Sequence, residues 1–147
     1  MSSKTRRYLI LGIRLLLGAV FLLSGIGKLI DASEARYLVE LAATHFYWLI
    51  EYTQPIILST SIVELLLGGL LLSGYKPRWS LGGAFLMLAF FSGVLAFFYL
   101  QGYTVENCGC FGALGGGGGL EFTLLRNLVL IGFVVGGVML SFRDRGE

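Results

Sequence analysis

The stretch from residue 8 to residue 30, YLILGIRLLLGAVFLLSGIGKLI, decides the fold of this chain. It is apolar for long enough to cross a bilayer as one helix, although it carries Arg14 near one end and Lys28 near the other. Helical spacings of four and three put both cations on one face, with small and aromatic residues between them: Arg14, Gly18, Phe21, Gly25 and Lys28. We therefore predict that this face points into a helix bundle rather than toward lipid.

The composition of the chain is that of a membrane protein. Of the 147 residues 56% are hydrophobic and 14% are charged, and the mean hydropathy is +0.81. Soluble domains carry about 25% charged residues, so this balance predicts an integral membrane protein. The net charge of +2 gives no indication of nucleic-acid binding. Because the first apolar segment is long and leads into an amphipathic stretch, we expect no cleavable signal peptide.

Three further apolar stretches follow the first. Together they predict an all-α fold, a polytopic membrane four-helix bundle that forms a single domain over residues 1–147. The four spans are expected at about 8–30, 55–74, 79–100 and 123–142.

The segment between the first two spans, about residues 32–51, is too charged to cross the membrane. Asp31 followed by Glu34 is typical of a helix start. Polar side chains then repeat every four residues, and apolar ones occupy the other face: Arg36, Glu40 and Thr44 against Leu38, Val39, Ala42, Phe46 and Leu49. This pattern predicts an amphipathic helix lying in the membrane interface. We interpret His45, which lies among aromatic residues there, as an ordinary surface residue.

The basic residues predict the orientation. Seven of the 11 Lys and Arg residues lie on one side of the predicted spans: Lys4, Arg6, Arg7, Lys76, Arg78, Arg143 and Arg145. By the positive-inside rule, both termini are cytoplasmic and the loop between the last two spans lies outside. For a bacterial cytoplasmic (inner) membrane, that loop would face the oxidising periplasm, where a thiol pair can cycle as a disulfide.

The loop at about residues 101–122 contains the segment Asn107-Cys108-Gly109-Cys110-Phe111-Gly112 and then a spacer of five glycines, 115–119. Thiols this close serve as a redox-active disulfide, as ligands for a soft metal, or as a structural staple. A bridge closing three residues stabilises a fold by only about 1.6 kcal/mol, before strain is subtracted. Since strained bridges are easily reduced, we favour redox catalysis by Cys108 and Cys110.

Glu64 lies near the middle of the second span, too deep for its side chain to reach water. An ionisable group at this depth must be protonated or paired. Helical rise places Arg14 only ~8 Å from mid-bilayer, which makes it the nearest cation in depth. We predict that Glu64 points into the bundle and forms a buried ion pair with Arg14. The alternative for Arg14 is snorkelling to the interface.

Lys28 and Arg126 lie near the outer ends of their spans, at the level of the cysteine loop. A nearby cation favours the thiolate, which is the reactive form of a cysteine. We therefore expect Lys28 and Arg126 to tune one of the two thiols. Snorkelling of Lys28 and contact of Arg126 with lipid head groups are the alternatives.

These residues also resemble a known family. The first-span pattern from Arg14 to Lys28, together with Glu64 in the second span, is similar to the DoxX-like superfamily. The motif CGCFG at 108–112, followed by Arg126-Asn127, resembles the MauE branch, the methylamine-utilisation membrane proteins. The resemblance extends over nearly the whole chain. It implies a four-helix membrane bundle that serves periplasmic thiol redox chemistry with a thioredoxin-like partner, and that helps a disulfide-rich periplasmic enzyme to mature.

Three functions are compatible with the sequence. In the first, the protein is a thiol-disulfide oxidoreductase whose electrons continue to a membrane quinone, to another protein, or no further. Vitamin K epoxide reductases share this architecture and use quinone, but the present chain lacks their CxxC motif. In the second, the thiols bind or transport a soft metal ion, although the chain has only 3 Met. In the third, the protein is a non-catalytic assembly factor. The sequence assigns no metal site and no cofactor beyond the candidate quinone.

Overall fold

The computed structural model describes residues 3–103 and 119–143 of the chain. These residues form five α-helices and one short 3-10 helix at Tyr47–Leu49: α1 (Ser3–Ile30), α2 (Ser33–Ala43), α3 (Thr53–Ser73), α4 (Pro77–Leu100) and α5 (Leu120–Arg143). The described part contains no strand. Four of the helices, α1, α3, α4 and α5, are long and apolar enough to cross a membrane. The predicted all-α bundle is confirmed, and the protein is an integral membrane protein.

The membrane helices begin earlier than the predicted spans. The first helix starts at Ser3 rather than near residue 8, and α5 starts at Leu120 rather than near residue 123. Hydropathy detects the part of a helix that lies in lipid, whereas the polar first turn of α1 is also helical. The C-terminal limits lie within two residues of those predicted.

The bundle consists of two antiparallel pairs, α1 with α3 and α4 with α5. In the first pair, glycines allow the two helices to approach closely. A Cβ atom added at Gly18 would lie 2.8 Å from Leu72, and one added at Gly25 would lie 2.8 Å from Leu65. The bundle-facing stripe predicted for α1 is therefore confirmed, because Gly18, Phe21, Gly25 and Lys28 are all buried.

A single apolar core joins the two pairs. Its buried members come from all four membrane helices: Leu17, Phe21, Leu71, Leu81, Ala84, Leu88, Leu130 and Val134. The opposite faces of these helices carry exposed Leu, Val and Phe side chains, among them Leu66, Leu86 and Leu125. Apolar surface facing outward all round the bundle is what a lipid-embedded protein presents.

The structure distinguishes two ends of the bundle. The turn end holds the first turns of α1, the turn 74–76 between α3 and α4, and the last turn of α5. There Gly74 adopts a φ of 78° as the C-terminal cap of α3, and Pro77 opens α4. The loop end holds α2 and the helix ends at Leu100 and Leu120, which border the cysteine segment.

The helix predicted over about 32–51 is shorter than expected. The α2 helix ends at Ala43, and Phe46 is non-helical, with φ of −129° and ψ of 80°. The hydroxyl of Thr44 donates to the carbonyl of Leu41 at 2.7 Å, and β-branched and aromatic residues follow that propagate a helix poorly. The sequence prediction followed amphipathicity and gave too little weight to these propensities.

The α2 helix covers the loop end with its apolar face. Its Leu38 and Leu41 pack against the buried pair formed by Leu95 of α4 and Leu120 of α5. The predicted polar residues Arg36, Glu40 and Thr44 are exposed. Ahead of this helix, the backbone N–H of Ser33 donates to Asp31 Oδ1 at 2.9 Å, and that hydrogen bond lowers the pKa of the exposed Asp31 carboxyl. Placement of α2 in the membrane interface stays a prediction.

Candidate functional site

A buried ion pair joins α1 to α3. Lys28 Nζ lies 2.5 Å from Glu64 Oε1, and the two residues are 4% and 2% exposed. The other carboxylate oxygen, Oε2, accepts a hydrogen bond of 3.0 Å from Ser24 Oγ. Both oxygens of the acid are thus bonded from a single helix, because Ser24 and Lys28 lie one turn apart on the same face. Glu64 points into the bundle, as predicted.

The predicted partner of Glu64 was wrong: the structure pairs the acid with Lys28 and not with Arg14. The reason is the direction in which helical side chains lean. Every Cα–Cβ bond tilts toward the N-terminus of its helix. In this antiparallel pair, Glu64 and Lys28 lean toward one another, whereas Arg14 leans away from the acid. Depth estimated from helical rise alone ignored this tilt.

Arg14 instead completes the backbone hydrogen bonding of α3. Its Nε and Nη2 atoms donate to the carbonyl oxygen of Leu71, at 3.1 and 2.9 Å. Leu71 belongs to the last turn of α3, where carbonyls have no partner within the helix and where the macrodipole is negative. The guanidinium rests against Gly74, where a side chain would collide with it. Arg14 is therefore a structural residue.

Arg126 extends the polar cluster to α5. It interacts electrostatically with Glu64, and its Nη2 lies 3.4 Å from Oδ1 of Asn127, which is 2% exposed. Lys28 also lies against Phe91 of α4, with Nζ 4.5 Å from the ring centroid. We call Ser24, Lys28, Glu64, Arg126 and Asn127 the polar cluster. Lys28 and Arg126 are its cations, and Glu64 is its acid.

Both predicted catalytic residues, Cys108 and Cys110, lie outside the described residues. The segment that contains them lies between the end of α4 at Leu100 and the start of α5 at Leu120, and both of these helix ends lie at the loop end of the bundle. The polar cluster belongs to the half of the bundle nearer to that end, since Arg126 lies only two turns into α5. Tuning of a thiol by Lys28 or Arg126 stays a prediction.

The family model for methylamine utilisation protein MauE matches residues 6–140 of the chain. The chain belongs to the MauE family. The matched region begins in the first turns of α1, ends near the end of α5, and includes both cysteines and the whole polar cluster. No curated protein and no solved structure shows significant similarity to it.

The sequence analysis assigned no site role to two members of the cluster in this MauE protein, Ser24 and Asn127, although Asn127 belongs to the family motif quoted there. Ser24 lies four residues before Lys28, so the stripe that found Lys28 could also have found it. Asn127 is an uncharged polar residue in an apolar span, next to an arginine, and polarity at that position was the available signal. His45, interpreted as a surface residue, is exposed, with its ring edge-on to Phe97 at 5.4 Å between centroids.

The structure bears on metal binding only in part. Among residues 3–103 and 119–143, no group of three or more His, Cys, Asp or Glu residues could hold a metal ion. A site built from the two cysteines would lie outside those residues. The soft-metal alternative is therefore supported by no described contact.

Proposed function

We propose that this MauE protein is a membrane thiol-disulfide oxidoreductase. Cys108 and Cys110 exchange electrons with a periplasmic thioredoxin-like protein, in support of the maturation of a disulfide-containing client used in methylamine metabolism. The protein lies in the bacterial inner membrane with both termini in the cytoplasm and the cysteine segment outside. The wider DoxX-like relationship suggested by the first helix belongs to the same proposal.

The observation that carries the proposal is the position of the two cations of the polar cluster. Three ionisable residues are held in the half of the membrane bundle from which the cysteine segment emerges, and two of them are cations. A nearby cation favours a thiolate over a thiol, and the thiolate is the species that attacks a disulfide.

The exchange of a disulfide between the two proteins needs no further oxidant or reductant. The thiolate of one cysteine attacks the partner's disulfide, forming a mixed disulfide and releasing one partner thiolate. The second cysteine then attacks the mixed disulfide, closes the Cys108–Cys110 bridge and releases the partner's second thiol. Two electrons pass to the partner. The reverse sequence oxidises the partner instead, so one dithiol serves either direction.

Trapping of the mixed disulfide tests this proposal. The variants Cys110→Ser and Cys108→Ser each keep one thiol. Each variant is mixed with a thioredoxin-like domain that keeps only its attacking cysteine. That cysteine is first converted to a mixed disulfide with a small aromatic thiol. We expect one of the two variants to trap the domain rapidly, with release of the aromatic thiol. The control carries Glu51→Cys in a chain without Cys108 and Cys110, because Glu51 is exposed between α2 and α3. Trapping no faster than in this control would overturn the proposal.

Arg126 provides a second test of the same function. Arg126→Gln removes one positive charge from the polar cluster while keeping a hydrogen-bonding side chain. We expect alkylation of the more reactive cysteine by a neutral reagent at neutral pH to become several-fold slower. The matched control is Arg36→Gln, because Arg36 is exposed and donates a hydrogen bond to the exposed Gln54. Equal rates in both variants would remove Arg126 from the proposal.

A further inference from the structure

A cavity of about 810 Å³ opens beside the polar cluster. It lies between α3 and α4, which pack mainly against different partners and leave a space between them, and it is covered by α2 and the short 3-10 helix. Its walls are almost wholly apolar, with aromatic side chains from two sides: Phe46 and Trp48, and Phe90, Phe91, Phe97 and Phe98. Binding sites for small organic ligands have this size and this kind of lining.

One buried cation reaches the wall of this cavity. Lys28 lines it, although the side chain is only 4% exposed. An ammonium group has three N–H donors, and one of them goes to Glu64. The ring of Phe91, which also lines the cavity, lies over the ammonium. Lys28 thus places a charged group at the wall of a space that is lined mostly by apolar side chains, with His45 and Thr60 as the other polar ones.

We propose that this cavity binds a membrane quinone. A hydrocarbon chain would fit the apolar walls, but it would leave the ammonium group of Lys28 beside a ligand that accepts no hydrogen bond. A quinone ring offers carbonyl oxygens that accept charge-assisted hydrogen bonds, and its flat face can stack on aromatic rings. Its isoprenoid tail matches the apolar walls. A neutral, planar ring with acceptors and a lipophilic tail is the ligand class that fits both features.

Binding of the quinone does not depend on the thiol function proposed above, whereas reduction of the quinone rests on that function. In that reaction the Cys108–Cys110 dithiol loses two electrons and two protons and becomes a disulfide. The quinone gains two electrons and two protons and becomes a quinol. Lys28, which lines the cavity, would be the group that hydrogen-bonds the bound ring. No further oxidant is needed.

The two tryptophans of the chain allow binding to be measured directly. Trp48 lines the cavity, whereas Trp79 is 81% exposed at the turn end. Quenching of tryptophan fluorescence by a decyl-substituted benzoquinone is followed in lipid nanodiscs, with Cys108→Ser and Cys110→Ser in every variant. In a Trp79→Phe chain we expect saturable quenching of Trp48. In a Trp48→Phe chain we expect only the linear quenching that follows from partition into lipid.

A pair of glycine variants on α4 tests the location. Gly93 lines the cavity and Gly82 does not, and a Cβ added at either meets no heavy atom within 4 Å. Gly93→Leu should fill part of the cavity and weaken binding at least about tenfold, the equivalent of 1.4 kcal/mol. Gly82→Leu should leave it unchanged. Equal affinities in the two variants would overturn the proposed site.

A third comparison tests the chemistry of recognition. The double variant Lys28→Met/Glu64→Gln removes the charged donor without leaving an unpaired acid, and we expect about tenfold weaker quinone binding. The matching decyl-dimethoxybenzene, which lacks the carbonyls, should compete only weakly. If it competes as well as the quinone, the cavity binds lipophilic molecules without recognising the carbonyl groups, and the proposal is wrong. Because no cysteine is present, a negative result would leave the thiol function untouched.

Discussion

The turn end and the loop end of this bundle both hold cations that are at least half-buried, but the hydrogen-bond partners of these cations differ. At the turn end, Arg14 donates to Leu71 in the last turn of α3, and Arg78 donates to the carbonyl of Ser141 in the last turn of α5 at 2.8 Å. Each arginine completes a helix end. Toward the loop end, Lys28 is held by an acid side chain and faces a cavity.

This difference separates structural from functional charge. A backbone carbonyl cannot change its protonation state, and an arginine bound to it has a fixed task. A lysine held by a glutamate side chain can exchange that hydrogen bond for one to a ligand that enters the cavity. The arginines at the turn end therefore complete the hydrogen bonding of helix ends, whereas Lys28 and Glu64 toward the loop end form an ion pair beside a cavity.

The largest expected effect comes from breaking the buried ion pair. Lys28→Met leaves Glu64 in the bundle without its cation, and the free energy of unfolding should fall by about 3–5 kcal/mol. Lys28→Met/Glu64→Gln should recover most of that loss, because the unpaired charge is gone. The measurement is thermal or denaturant unfolding in detergent, and Leu66→Ala is the control, since Leu66 is 61% exposed. A double variant no more stable than Lys28→Met would show that the pairing is not what stabilises the site.

The close contact between α1 and α3 should give the next largest effect. Gly25→Ala adds a Cβ atom 2.8 Å from Leu65 and 3.1 Å from the carbonyl oxygen of Ser61, so the helices must separate. We expect a loss of about 1–3 kcal/mol in the same unfolding assay. The control is Gly12→Ala on the same helix, where the added atom meets nothing within 4 Å. It should be neutral or slightly stabilising, and similar losses in both would mean that helix propensity rather than packing decides.

A smaller effect is expected at the turn end. Arg14→Gln removes the guanidinium from the last turn of α3 and should reduce stability by about 1–2 kcal/mol. It should leave quinone binding and thiol alkylation unchanged, because Arg14 touches neither the cavity nor the polar cluster. If Arg14→Gln kept its stability but slowed alkylation of the thiols, the turn end would affect the cysteines, which contradicts the distinction between the two ends.

The part of this architecture that depends on local pattern could be predicted from sequence. The spacing from Arg14 to Lys28 gave the buried face of α1, and the position of Glu64 gave an acid inside the bundle. The partner of Glu64 could not be derived from depth, because side-chain tilt in an antiparallel pair decides it. The cavity depends on the distance between α3 and α4 and on the residue at which α2 ends. The periodicity of a single helix predicts neither of these.

The reduction potential of the Cys108–Cys110 pair tests the central claim most directly. The protein is equilibrated in a series of glutathione or dithiothreitol buffers, and the fraction of free thiol is measured by alkylation and mass. A redox-active pair should titrate above about −300 mV, within reach of a thioredoxin-like partner, and reversibly. A potential below about −300 mV would identify a resistant structural bridge and contradict the account.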